Sequence, residues 1–220
     1  MFFDSHLHNL GKESGGFIIG LENKPFFEGT LNNEQVLLKH DPKNNYVAFY
    51  YVTNSNIQAS LTHKYLKYHP RREHYSLLEM IDSIGINTPK CVIIDTLNEP
   101  YLVPYDYWRI AQLFPEIIFI FTHAGGYLIN DFIKICNFQP NVWLDFALTA
   151  TQLGCLSKPN GLPYINQAIN YSLNNSFSDR ILLGSDYPFF KQDELIDYYN
   201  KLNKIELLNT NFKNLLEMIV

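Results

Sequence analysis

Ile117-Ile118-Phe119-Ile120-Phe121-Thr122-His123-Ala124-Gly125-Gly126 is the stretch on which the reading of the fold turns. Its run of apolar residues leaves no polar face, which is the pattern of a strand covered on both sides in a parallel sheet. Leu128, Ile129, Phe132, Ile133 and Ile135 follow at near-helical spacing and predict a helix over 127–137. Strand followed by helix is the repeating unit of an α/β fold with a parallel sheet. Outward from this unit the same rhythm continues in both directions. Short runs rich in β-branched and aromatic residues predict strands at 1–8, 16–21, 46–52, 60–68, 90–95, 117–122, 141–146 and 180–185. Helices are predicted at 30–40, 75–85, 104–114, 127–137, 162–176, 191–202 and 205–218, with Thr30 and Ser76 as N-caps and Pro104 in a first turn. Eight strands in this alternation predict a small (β/α)8 TIM-type barrel spanning residues 1–220 as one domain. Residues 9–15 and 53–59 are shorter than the dozen or so that a parallel crossover usually needs, so the barrel is expected to lack one or two outer helices.

Composition narrows the partners. The net charge is −5 and no basic stripe runs along the chain, which argues against nucleic-acid binding. No apolar run approaches the roughly 20 residues of a bilayer span, and Met-Phe-Phe-Asp-Ser-His is no secretory leader. Cys91, Cys136 and Cys155 are odd in number, far apart and without metal-ligand spacing, as expected of a reduced, cytoplasmic protein. Lys64, Lys67, Arg71 and Arg72 form one local cationic cluster, either a solvated loop or a site for a substrate anion.

Catalytic groups in such barrels sit at the C-terminal ends of strands. There the chain places His6 and His8, then Lys67 and His69, Asp95, His123, Asp145 and Asp186. Side chains two apart on a strand share a face, so Asp4, His6 and His8 should point the same way, with two imidazoles as half a metal site. A catalytic zinc takes about three protein ligands and keeps a position for water, whose pKa it lowers toward ~7. A carboxylate beside it can take the proton, and a histidine can polarise a carbonyl. Blander readings stand beside these: Asp186 as a turn former, His123 as a helix cap, His69 as a loop residue, Asp145 as a structural carboxylate. His40, His63 and His74 read as surface residues.

Three ordered segments resemble the amidohydrolase superfamily. They are Asp4-Ser5-His6-Leu7-His8, then Phe114-Pro115-Glu116 leading to His123-Ala124-Gly125-Gly126, and Arg180-Ile181-Leu182-Leu183-Gly184-Ser185-Asp186-Tyr187-Pro188. Lys67-Tyr68-His69-Pro70 and Asn211-Phe212-Lys213-Asn214-Leu215-Leu216 are weaker likenesses. The pattern is most similar to the branch that includes aminocarboxymuconate-semialdehyde decarboxylase and related small-acid decarboxylases and lactone hydrolases. The resemblance implies a (β/α)8 barrel, His6 and His8 as metal ligands, Asp186 as ligand and general base, and His123 beside the metal. It also marks a departure: where the family has a metal-binding His after the fifth strand, this chain reads Val92-Ile93-Ile94-Asp95-Thr96. Asp95 would then be a fourth ligand, making the site more anionic and tilting it toward manganese or iron. Zinc is otherwise the first expectation. Some superfamily members carboxylate a fourth-strand Lys to bridge two metals, which Lys67 could do, but the branch resembled has a one-metal design.

The resemblance thus implies a metal-dependent hydrolase of a small amide, lactone or ester. A non-oxidative decarboxylase on the same metal site is the nearest alternative, with Lys67, His69 and Arg71 as substrate-binding candidates and Arg71 or Arg72 pairing an acid group. A metal-dependent deoxyribonuclease and a non-catalytic barrel with a decayed metal site are the further alternatives. Partners are expected to be a small-molecule substrate and, through an uncovered flank, a second copy of the chain, with Tyr46, Phe49, Tyr50 and Tyr51 as the candidate contact.

Overall fold

Eight strands run in chain order around one sheet, each parallel to the next. They are β1 (Asp4–Leu7), β2 (Gly16–Ile19), β3 (Tyr46–Tyr51), β4 (Tyr65–Tyr68), β5 (Cys91–Asp95), β6 (Ile118–Thr122), β7 (Val142–Ala147) and β8 (Ile181–Gly184). The computed structural model describes residues 2–21, 29–97, 101–147 and 161–220; Cys155 lies outside them. Beyond Gly184 the chain closes onto β1: Asp186 N–H donates to the His6 carbonyl at 2.9 Å and His8 N–H to the Tyr187 carbonyl at 2.7 Å. The sheet is therefore a small (β/α)8 barrel.

Around it, among the described residues, lie α1 (Asn33–Leu37), α2 (Ile57–Ser60), α3 (Pro70–Glu73), α4 (Leu77–Asn87), α5 (Pro104–Leu113), α6 (Ile129–Phe138), α7 (Gly161–Ser172), α8 (Gln192–Lys201) and α9 (Ile205–Ile219). Ser76 caps α4 in a reciprocal box with Glu79, and Pro104 opens α5, both as the sequence predicts. Thr30 does not cap α1. Asn32 does, its side chain accepting the Gln35 N–H while Gln35 returns a bond to the Asn32 N–H, both at 2.9 Å. The helix predicted over 30–40 shrinks to five residues because Asp41 and Tyr46 pair their backbones and return the chain to β3.

The two short connections are as sparse as their length requires. No helix lies between β1 and β2, and a single turn, α2, lies between β3 and β4. Period-two alternation sorts the strand residues. Phe17, Ile19, Val47, Phe49, Cys91, Ile93, Ile120, Trp143 and Leu182 cluster with Phe212, Leu215, Leu216 and Ile219 of α9. The C-terminal helix thus plugs the barrel at the end where strands begin. There the Tyr65 hydroxyl donates to the Ile219 carbonyl and Phe3 N–H to Asn209 Oδ1. The opposite, C-terminal mouth is left to polar residues. Of the run Tyr46, Phe49, Tyr50 and Tyr51, Phe49 and Tyr51 are fully buried, Tyr50 stacks on His63 and Tyr46 is half-buried.

Candidate active site

His6 and His8 leave β1 into the mouth, and Asp186 enters from the turn after β8. Asp186 and His123 both hold left-handed backbone, φ 63° and 60°, each just after a strand end. Such residues are uncommon outside glycine and concentrate at functional sites. His8 Nδ1 lies 3.1 Å from the Ile19 carbonyl. A carbonyl only accepts, so Nδ1 carries the proton and Nε2 presents a lone pair. His6 Nδ1 faces Asp145 Oδ2 at 3.2 Å, which turns its Nε2 the same way. The two Nε2 atoms meet one oxygen, Asp186 Oδ1, at 3.5 and 3.2 Å. All three donor atoms lie within 4.8 Å of one another, the metal-competent group found among the described residues. Two imidazole nitrogens and a carboxylate oxygen converging in a buried place need a cation among them, either a ring proton or a metal ion. The donor set therefore fits a divalent metal.

Asp4 shares the strand face but not the site. Its Oδ1 accepts the N–H groups of His6 at 3.0 Å and Ser185 at 2.9 Å, and its Oδ2 accepts from Gln192 at 2.9 Å. It clamps β1 to β8 beneath the histidines. Burial raises its carboxyl to about 7.

A second cluster centres on Asp95. Its Oδ2 lies 3.2 Å from His123 Nε2, 3.5 Å from His69 Nε2 and 3.9 Å from Lys67 Nζ. Its Oδ1 accepts the Leu97 N–H at 3.2 Å and faces the Arg71 guanidinium at 3.8 Å. Burial raises the Asp95 carboxyl, but His69, His123 and Lys67 together hold it well below the usual carboxylate range. Burial pushes His69 down to about 3, against the pull of Asp95. Burial also lowers Lys67, against the pull of Asp95. For His123 burial is outweighed by Asp95, and the imidazole is held above its ordinary value. Lys67 points inward as its parity with His69 predicts; it is 1% exposed and donates to Thr122 Oγ1 at 3.2 Å. Arg71, with a side chain 38% exposed, borders the mouth. The clusters touch through His123, whose ring centroid is 4.9 Å from that of His6.

Residues 70–215 match the family model described as amidohydrolase, a stretch that includes Asp95, His123 and Asp186. The chain belongs to the amidohydrolase family. The match reaches the family and not one branch of it. Among solved structures, an uncharacterised TIM-barrel protein, Bb4693, from Bordetella bronchiseptica is 18% identical with a TM-score of 0.65, over 94% of this chain and 78% of that one. A probable 2-pyrone-4,6-dicarboxylic acid hydrolase from Acinetobacter baumannii, with citric acid bound, is 14% identical with a TM-score of 0.50, over 98% and 99%. An amidohydrolase from Burkholderia multivorans with bound HEPES is 10% identical with a TM-score of 0.52, over 87% and 76%. At these identities the likeness is one of fold. No curated protein matches the chain.

In this amidohydrolase, His6, His8, Asp186 and His123 come together as the sequence predicts, with Asp95 on the far side of His123. The sequence reading missed how Asp145 and Gln192 serve them. Asp145 lies within β7, fully buried against His6, and its position near the end of a predicted strand gave no sign of that partner. Gln192, at the start of α8, donates to both Asp4 and Glu13 at 2.9 Å. Nothing local in Lys191-Gln192-Asp193 marks that role. No helix among the described residues is long and apolar enough to cross a membrane.

Proposed function

We propose that this amidohydrolase is a divalent-metal-dependent hydrolase of a small amide, lactone or ester. The observation that carries the reading is the convergence of His6 Nε2, His8 Nε2 and Asp186 Oδ1 at the barrel mouth. These three residues would hold the metal, zinc first and manganese or iron as alternatives. Such an ion would supply Lewis acidity toward a carbonyl and lower the pKa of a water. Burial raises the Asp186 carboxyl, but the imidazoles of His6, His8 and His123 outweigh it and keep the group ionised. An ionised carboxylate at that place can take the proton of an attacking water. His123, whose imidazole Asp95 holds above its ordinary value, lies beside His6 and can donate to the carbonyl oxygen as negative charge develops on it. Arg71 and His69 border the space where substrate would lie, and Lys67 adds positive charge from beneath.

A non-oxidative decarboxylase is the second reading, favoured by one feature. Arg71 stands half-exposed and 3.8 Å from Asp95, beyond hydrogen-bond reach, so it can pair an incoming carboxylate. The test is elemental analysis of the purified protein, then assay against lactones, esters, amides and unsaturated small acids. Stoichiometric metal, with hydrolysis abolished in His6→Ala and Asp186→Asn, is expected. Carbon dioxide release without hydrolysis selects the second reading. Turnover indifferent to both substitutions and to chelator overturns the metal site.

A further inference from the structure

The fifth-strand position, where the family pattern has a histidine, is filled in this chain by a carboxylate whose surroundings assign it another task. An ionised carboxylate offers about four lone-pair positions. Asp95 is faced by five groups: the Leu97 N–H, the imidazoles of His69 and His123, the Lys67 ammonium and the Arg71 guanidinium. Oδ1 accepts the Leu97 N–H and Oδ2 lies 3.2 Å from His123 Nε2, so each oxygen already faces a donor.

Charge points the same way. Lys67 is among the largest fully buried side chains, inside the barrel with an ammonium head. A buried ammonium without an opposite charge is strongly destabilising. The Thr122 hydroxyl it bonds is neutral, so Asp95 is the adjacent group that balances it. Turning Asp95 to a metal would strip that balance from Lys67. Meanwhile His6, His8 and Asp186 already form a closed three-donor group without it.

We propose that Asp95 is the counter-ion for Lys67 and not a metal ligand, so that the metal is held by three side chains. The inference rests on the metal reading above. It also gives the substitution on β5 a reason: at this place the chain carries a cation of its own, and Asp95 is the residue that makes it tolerable.

The test is a cobalt(II) titration, read by visible absorption, on wild type, His8→Ala and the Lys67→Met/Asp95→Asn double variant. The melting temperatures of both single variants and the double are measured alongside. Expected is one cobalt per chain in the double variant, with unchanged band positions and affinity within about threefold of wild type, well short of the 10–100-fold that loss of even an orienting group causes. His8→Ala loses about 100-fold or more. Each single variant melts well below wild type, and the double recovers at least half of the combined fall, because it removes both charges at once. A double variant that loses cobalt as His8→Ala does, or shifts the bands, overturns the proposal. So does one that melts no higher than the single variants. If wild type itself binds no cobalt, the metal reading of the function fails, and the melting cycle still decides: coupled losses support the counter-ion, additive losses overturn it.

Discussion

Gly184→Ala is expected to disable the proposed metal centre without touching a proposed ligand. A Cβ on Gly184 would fall 2.2 Å from Asp145 Oδ1, 2.6 Å from its Oδ2 and 2.7 Å from its Cγ. The carboxylate would have to retreat from 2.2 Å to the 3.4 Å of ordinary contact, about 1.2 Å, in a place where Asp145 has no solvent to move into. That shift is large beside the 3.2 Å separation that orients His6 Nδ1. Two losses follow. Overpacking a full core destabilises by about 1–3 kcal/mol. Losing the carboxylate that orients a ligating imidazole weakens metal binding by about 10–100-fold. Urea unfolding of the metal-free protein reads the first, and competitive titration with a chromophoric zinc chelator reads the second. Asp145→Asn separates them, since it keeps the volume and weakens only the orientation of His6. Zinc affinity unchanged in both variants would refute the claim that Asp145 acts through His6. Unchanged stability in Gly184→Ala would refute the packing at β7 and β8.

Three further outcomes follow from residues outside the metal group. Gln192→Leu removes the amide shared by Asp4 Oδ2 and Glu13 Oε2; leaving buried acceptors unmet should cost about 2–4 kcal/mol in denaturant unfolding, and a loss under about 1 kcal/mol would refute the brace. Phe212→Ala opens the floor of the barrel, where its ring stacks on Phe3 at 5.1 Å and lies 4.7 Å from Phe17; a loss of about 3–5 kcal/mol is expected, and a small one would mean α9 is not the plug. His40 accepts the Ala48 N–H through Nδ1 at 3.1 Å, and its pKa is lowered by partial burial. Its contribution to stability is therefore present above its ordinary pKa of about 6.5 and is lost as pH falls below it. His40→Asn, which keeps an acceptor that cannot protonate, should flatten the melting-temperature profile between about pH 5 and 7 relative to wild type; superimposable profiles would contradict the bond.

Much of the barrel is legible in local pattern. Apolar runs such as Cys91-Val92-Ile93-Ile94 announce strands covered on both faces, and the brevity of residues 9–15 and 53–59 announces missing helices. Ser76 with Glu79 marks a helix start because the capping box is a four-residue device. Thr30 misled for the same local reason: two residues further on, Asn32 with Gln35 makes the better box. The shared face of His6 and His8 follows from the period of a strand.

By itself, then, the sequence determined the strand count, the parallel sheet and the polar residues at the strand ends, because each depends on a few consecutive side chains. Only the tertiary structure decided which of those residues meet. Asp4 Oδ1 accepts the N–H of Ser185, a residue 181 positions away, and both His6 and His8 reach Asp186 because β1 and the turn after β8 are neighbours once the barrel closes. It also decided that Asp95 faces Lys67 and His123 while Asp186 faces His6 and His8. Two aspartates that read alike at strand ends differ only in what closure sets against them, and the Coulomb energy between charges depends on that distance and not on their order in the chain.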